Sequence, residues 1–473
     1  MQKYNPKSKE SIKKFAELLV WKKLSDFLPK DFVDKTKSNK WSLWNLIQEY
    51  YFGIPVNNKP EPDFVDAKIE LKATPIKRLK KWEIRPKERL VLWMINYEKI
   101  ITEKWESSSF LKKNSLLLLI FYFYEKWLLN INLVIKIVEY YSFTDFEEDT
   151  NIIKKDWESI KEKIFQWRAH ELSEWDTFYL WACTKWETAE SSLKKQPNSN
   201  IMAKWRAFSF KPWYIRYILK QFETRNTKYE KLFKNNELDS NDFYTVLTDK
   251  FKPFIWKTAY QIWENFWLTY KKQKNFYARL SSKIMWVADM KNTEEFIKAN
   301  IELKTIRITP SNSLKEDISF PYFEFKEIIE EDWEDSDLYN TLEFQKFFFV
   351  IFKITTKTAT QFDKLKNWEK NKFLVLDRVV LWNAPSNDIE NKAKKVWNKT
   401  IEIIKEWVII TPKQNKKWTI FLNNLPSSST TEMIHVRPHW KNRLDISELP
   451  DWRKLTKQCF WINKKYIAKQ LWI

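Results

Sequence analysis

The sequence predicts an α/β (α+β) chain built as two tandem units, each a mixed sheet flanked by helices. Two observations carry this. The same succession of segments occurs twice in the same order, and in each copy helical stretches alternate with short, strongly apolar strands. The first copy runs PDFVDAKIELKATPI (62–76), KWESSSFLKKNSLLLLIFYF (104–123) and KKDWESIKEKI (154–164). The second runs EEFIKANIELKTIRI (294–308), DWEDSDLYNTLEFQKFFFVIF (332–352) and KKVWNKTIEII (394–404). An internal duplication follows, with domains at 1–228 and 229–473.

Each element has its own reason. A helical segment leads into an alternating strand, AKIELKA in one copy and ANIELKT in the other, so one face is polar and the other apolar. The run LLLLIFYFY (116–124) is far short of the roughly 20 apolar residues needed to span a bilayer, and reads as a buried strand. A long amphipathic helix closes each copy. The segments WETAESSLKKQPNSN (186–200) and NLPSSSTT (424–431) are polar loops.

The composition is ordinary except at two residue types. The 473 residues contain a single glycine, Gly53, and 28 tryptophans, where about 7% Gly is usual. Many tryptophans sit in turn-like polar settings such as EWDT (174–177), NWEK (367–370), KKWT (416–419) and PDWR (450–453). Tight turns and helix ends call for Gly on steric grounds. A UGA codon read as Gly by the source, but translated as Trp, accounts for both counts. Most Trp positions are therefore read as Gly. Trp105, Trp157, Trp333, Trp382, Trp397 and Trp461 are read as genuine.

A net charge of +21 favours a polyanionic partner. Cys183 and Cys459 are far apart and lack a CxxC partner, which fits a reducing cytoplasm without a disulfide framework. The start, MQKYNPKSKESIKK, is too polar for a secretory signal, and no membrane association is expected.

The chemistry concentrates at Asp63, Glu70 and Lys72, in the pattern D-x6-E-x-K. Glu70 and Lys72 are two apart on a strand and project from one face, and Asp63 precedes that strand. Carboxylates are hard oxygen ligands for Mg²⁺, and a lysine beside them can stabilise developing negative charge. Metal-assisted phosphodiester cleavage needs that set. The competing reading of the same residues is a solvated strand edge.

With Trp41 and Trp44 read as Gly, residues 40–49 become K-G-S-L-G-N-L-I-Q-E. PEPDF (60–64), ELK (70–72) and WESSSFLKK (105–113) follow. This set resembles the MutH family of PD-(D/E)xK endonucleases: the mismatch-repair nickase and its GATC-cutting restriction relatives. The resemblance implies two restriction-endonuclease-like domains and a Mg²⁺ cofactor. It assigns Asp63 and Glu70 as metal ligands, Lys72 as the catalytic lysine, Glu49 as a helical acid near the metal and Lys113 as a phosphate contact. Lys40 falls in the helix entry. HVRPHWKN (435–442) and KQCFWINKKYI (457–467) resemble the recognition loop and final helix. Arg437 would then read base edges, with His439 beside it. The first copy offers Lys185 at the matching place.

The second copy keeps Glu295, Glu302 and Lys304, but the Asp has become Glu. Glu264 lies 31 residues before Glu295, and Phe344 stands opposite Lys113. A preorganised site tolerates little displacement of a ligand, so this copy is expected to bind DNA or act as an effector without cutting.

The resulting expectation is a Type II restriction endonuclease making Mg²⁺-dependent double-strand cuts at a short site, GATC by resemblance. A DNA methyltransferase encoded nearby and dimerisation on DNA accompany that reading. The alternatives are a mismatch-repair nicking enzyme and a non-cleaving DNA-binding protein derived from a nuclease.

Overall fold

The computed structural model describes residues 3–29, 43–56, 59–78, 84–125, 127–173, 176–184, 193–224, 228–233, 237, 243–266, 275–415, 418–438 and 445–473. The chain divides into two units. Unit 1 is Met1–Tyr229 with Ile297–Ala299, and unit 2 is Glu230–Phe296 with Asn300–Ile473.

In unit 1, α1 (Lys9–Glu17) and α2 (Leu43–Leu46) precede the sheet. Its four-stranded sheet has the order β2-β1-β4-β5, formed by β1 (Glu70–Arg78), β2 (Ile84–Pro86), β4 (Leu116–Phe123) and β5 (Ile135–Ser142). β1 runs parallel to β4, with Glu70 opposite Leu117 and Lys72 opposite Leu119. β4 and β5 are antiparallel. β4 is apolar along its length and buried at six of eight positions, as a central strand covered on both faces must be. Ile12, Phe15, Leu43, Ile47, Leu71, Leu118 and Ile120 form the core against it.

Between β1 and β4 the sequence WESS forms a helix start. Ser108 Oγ accepts from the Leu111 amide at 3.2 Å and donates to the Trp105 carbonyl at 2.7 Å. It thereby caps α3 (Ser109–Asn114), as serine does best. α4 (Glu147–Phe165) carries Trp157, whose ring centroid lies 5.8 Å from that of Trp105. A second, antiparallel sheet has the order β3-β9-β6, from β3 (Leu90–Met94), β6 (Leu180–Thr184) and β9 (Arg206–Phe210). The hairpin β7 (Leu193–Gln196) and β8 (Ser199–Lys204) precedes β9, and α5 (Pro212–Thr224) follows it.

In unit 2, α6 (Phe276–Ile284) precedes the first sheet, as does α7 (Glu294–Lys298), whose last two residues fall in unit 1. That sheet has the order β10-β12-β13, from β10 (Ile301–Ile308), β12 (Lys346–Ile354) and β13 (Leu374–Trp382). β10 is parallel to β12, with Glu302 opposite Phe347, and β12 is antiparallel to β13. Ser336 caps α8 (Asp337–Phe344) through the Tyr339 amide and donates to the Trp333 carbonyl. Trp333 packs 5.6 Å from Trp397 on α9 (Lys394–Glu406). β11 (Ile318–Phe323), β16 (Ile434–Pro438) and β19 (Gln458–Ile462) form an antiparallel sheet ordered β11-β19-β16. Hairpins β14 (Ile410–Asn415)–β15 (Trp418–Asn423) and β17 (Ile446–Glu448)–β18 (Lys454–Thr456) flank β16, and α10 (Lys464–Gln470) ends the fold. The β1-β4-β5 pairing of unit 1 therefore recurs as β10-β12-β13 in unit 2, without a counterpart of β2 among the described residues, and β3-β9-β6 recurs as β11-β19-β16.

Two groups of tryptophans contrast in structure, although Trp181 is buried and Trp461 is half-buried. Trp105, Trp157, Trp333, Trp382 and Trp397 are buried in cores. Trp21, Trp167, Trp256, Trp286, Trp452 and Trp472 have positive φ, between 53° and 69°, and each is at least half exposed. That backbone region favours glycine and penalises a Cβ. Gly53 has it too, at φ 72°.

Candidate active site

A tight turn brings the first carboxylate to the strand. Phe64 and Ile69 exchange both backbone hydrogen bonds, at 2.9 and 3.2 Å, and Lys68 turns the chain with φ 55°. Asp63 is folded back beside β1. Its Oδ2 accepts from the Leu71 amide at 3.0 Å, and its own amide donates to Glu70 Oε2 at 3.2 Å.

Strand alternation does the rest. Leu71 points into the core and is fully buried, while Glu70 and Lys72 share the other face. Lys72 Nζ donates to Glu70 Oε1 at 2.9 Å. Lys113 arrives from α3, with Nζ 3.3 Å from Glu70 Oε2. Asp63, Glu70, Lys72 and Lys113 thus meet in one place.

Lys113, expected as a phosphate contact, is engaged within the protein. It is buried, and Nζ also donates to the Lys59 carbonyl at 3.0 Å and the Glu61 carbonyl at 2.8 Å. Three acceptors match the three donors of an ammonium. Lys113 here fastens the segment leading to Asp63.

Glu49 is exposed, and the helical residue at Asp63 is its neighbour Gln48. Gln48 is 2% exposed and donates from Nε2 to Asp63 Oδ1 at 2.8 Å. Both residues lie in a π-helical turn, Ile47–Tyr51, that continues α2. Indoles crowd the two lysines: Trp44 lies 5.4 Å from Lys72 Nζ and Trp93 4.9 Å from Lys113 Nζ. Trp93 also lines a cavity of about 860 Å³ with Asn96, Tyr97, Lys99, Lys194 and Phe208.

Burial, and then the neighbouring Glu70 charge, push the Asp63 carboxyl up to about 7, against the opposing effects of the Leu71 amide, Lys72 and Lys113. The two carboxylates face two ammonium groups, so the shift at Asp63 reflects chiefly its removal from water. Among the described residues no cluster of three or more His, Cys, Asp or Glu forms. Two carboxylates nevertheless suit Mg²⁺, which commonly takes one or two and completes its shell with water and substrate phosphate. The donor set fits that ion.

Unit 2 presents a different arrangement. The Glu295 oxygens accept from the amides of Leu232 (2.9 Å) and Phe233 (3.1 Å), and burial holds this carboxyl above its usual range. Glu302 is paired with Lys291 at 2.7 Å and Lys304 at 3.5 Å. Glu264 is exposed, and α8 (DLYNTLEF) contains no lysine.

Arg437 stands on β16, half exposed. Its guanidinium lies 4.3 Å from the Trp461 ring and 3.1 Å from Asp317 Oδ2. Lys40, Lys185 and His439 lie outside the described residues.

Residues 52–156 match the family model described as the DNA mismatch repair enzyme MutH. That range takes in Asp63, Glu70, Lys72 and Lys113 and begins after Gln48 and Glu49. Along nearly its whole length the chain is similar to the Type II restriction enzyme Sau3AI of Staphylococcus aureus. The two are 33% identical over 497 aligned residues, covering 98% of each chain.

Proposed function

The chain belongs to the MutH-like family of Type II restriction endonucleases, and on that premise we propose that it makes Mg²⁺-dependent double-strand cuts in DNA at GATC. The observation that carries this is the convergence of Asp63, Glu70 and Lys72 at the start of β1. Asp63 and Glu70 would hold the ion. When bound, it polarises the scissile phosphate and makes a coordinated water more acidic. Lys72 holds its ammonium on the same strand face, where it can stabilise charge on the leaving phosphate oxygens.

In this reading unit 1 (expected at 1–228) cuts, and unit 2 (229–473) is a second MutH-like domain that binds DNA. Helix α8 offers no lysine in the place of Lys113, which supports an inactive second site. Arg437 would contact base edges, since arginine on guanine O6 and N7 is the commonest specific major-groove contact. Lys40, Lys185 and His439 are proposed DNA contacts on the resemblance alone, as is Glu49 for a place near the metal. Cytoplasmic location, a methyltransferase encoded nearby and dimerisation on DNA belong to the same proposal. Among the described residues no helix is long and apolar enough to cross a membrane.

The test is plasmid bearing GATC incubated with Mg²⁺ and wild-type, Asp63→Ala or Lys72→Ala protein. Cutting only by the wild type is expected, and only when Mg²⁺ is present. Tight specific binding without cutting selects the non-cleaving alternative, and a single nicked strand selects the mismatch-repair one. Cleavage by Lys72→Ala at the wild-type rate removes Lys72 from the chemistry.

A further inference from the structure

We propose that Gln48 is the positioning residue for Asp63, fixing the orientation of its carboxylate for the cation; this rests on the nuclease reading above. Gln48 sits at 2% exposure among Leu46, Ile47 and Tyr51, all buried. A primary amide there is costly unless its N–H finds an acceptor, and Asp63 Oδ1 supplies one at 2.8 Å. The other oxygen, Oδ2, is held by the Leu71 amide at 3.0 Å. One donor comes from the helix and one from the strand, so the carboxylate is fixed at both ends.

A carboxylate oxygen has more than one lone pair, so each oxygen keeps capacity for a cation after accepting its single bond. The amide also adds no charge. Asp63 and Glu70 face Lys72 and Lys113, and an acid in place of Gln48 would set a third negative charge against Asp63. The π turn Ile47–Tyr51 is what presents this residue. Glu49, one position on, is exposed. Partners that orient a ligating carboxylate commonly govern metal affinity by about 10–100-fold.

The experiment compares full-length wild type, Gln48→Met (similar in length, without a donor) and Gln48→Glu. Mg²⁺ binding is measured calorimetrically without DNA, plasmid cleavage gives kcat and KM, and melting in EDTA checks the fold. Gln48→Met is expected to lower Mg²⁺ affinity by about 10–100-fold and to lower kcat at fixed Mg²⁺ with KM for DNA unchanged. Raising Mg²⁺ should restore much of that rate, which a merely structural lesion would not allow. Gln48→Glu should fail to reproduce the wild type, because it cannot donate; it also decides the matter if Gln48→Met does not fold. Wild-type Mg²⁺ affinity in Gln48→Met, or wild-type behaviour in Gln48→Glu, overturns the role of Gln48 alone. Wild-type protein that binds Mg²⁺ without cutting DNA overturns the nuclease reading, while the titration still decides Gln48. Cutting that needs no Mg²⁺ overturns both.

Discussion

Lys113 and Glu70 are joined inside unit 1, Nζ to Oε2 at 3.3 Å, and the same ammonium donates to the carbonyls of Lys59 and Glu61. One lysine therefore fastens both the strand carboxylate and the segment that delivers Asp63. Its worth is structural as well as chemical, which separates it from Lys72.

Lys72 and Lys113 should consequently fail in different ways. Removing Lys113 leaves Glu70 paired with Lys72 but takes the donor from the Lys59 and Glu61 carbonyls, a loss of about 1–3 kcal/mol. Lys113→Met is expected to lose cleavage and to lower the unfolding free energy of unit 1 by an amount in that range. Lys72→Met should also lose cleavage, but at a smaller stability cost. Lys72 is more exposed, and Glu70 keeps Lys113. Urea unfolding beside plasmid cleavage measures both; equal stability of the two variants would refute the distinction.

Unit 2 should tolerate what unit 1 cannot. Glu302→Gln and Lys304→Met are expected to leave cleavage within about twofold, under about 0.5 kcal/mol of barrier. Glu295→Ala should instead destabilise its unit by about 1–3 kcal/mol, since the Leu232 and Phe233 amides lose their acceptor. A large fall in kcat in Lys304→Met at unchanged DNA affinity would return unit 2 to the list of cutting sites.

The legible part of this molecule was what periodicity and repetition encode. Alternation placed Glu70 and Lys72 on one face, and the apolar run at 116–123 is the central β4 strand. Both Trp-Glu-x-Ser segments are capped helix starts with their indoles in the core. What spacing could not reveal is how a side chain's hydrogen bonds are already spent. Lys113 and Glu295 are both engaged by backbone groups distant in sequence. Gln48 was missed because counting 14 residues back from Asp63 reaches Glu49. A π turn at 47–51 alters the facing of each residue relative to an α-helix, and no residue pattern in IQEYY announces it.

Acid should weaken unit 2 through His435. This imidazole is buried on β16, and Nδ1 meets Asn463 Oδ1, whose amide donates to the Thr431 and Glu432 carbonyls at 2.8 Å. Burial holds the His435 pKa below its ordinary value, with Arg437 acting in the same sense and the Asn463 bond and Asp317 opposing. The unfolded chain, titrating near 6.5, then binds the proton more tightly than the folded one. The stability is fully present above about 6.5 and is lost as pH falls through that value toward the folded pKa. Urea midpoints between pH 8 and 5 should fall, and His435→Gln should flatten that dependence. An identical slope in the variant would remove His435 as its source.

Glycine is the expected native residue at Trp167, Trp286 and Trp472, because all three occupy the same place at a helix end. After α4, Trp167 donates to the Ile164 carbonyl (3.0 Å) and Arg168 to Lys163 (2.9 Å). After α6, Trp286 donates to Lys283 (3.0 Å) and Val287 to Ser282 (3.1 Å). After α10, Ile473 donates to Ala468 (3.0 Å). The first two ends show both closing bonds of the Schellman motif and the third shows its outer one; the left-handed residue there is usually Gly. Each Trp has positive φ and an exposed ring, so its indole gains little burial while its Cβ costs about 1–2 kcal/mol. Trp167→Gly and Trp286→Gly should therefore stabilise the chain, each by about 1 kcal/mol. Trp157→Gly and Trp397→Gly should destabilise it by at least about 3–5 kcal/mol, as core truncations of aromatic residues do. Mass spectrometry of the protein from its own source decides directly, with glycine-containing peptides expected across 163–168 and 282–287 and an indole retained at 157. The same substitution at Trp44 would clear the ring that now lies 5.4 Å from Lys72 and open the strand face to a phosphate. Indoles found intact at 167 and 286 in the native protein would defeat the recoding, and with it the glycine-lined helix entry ahead of Gln48.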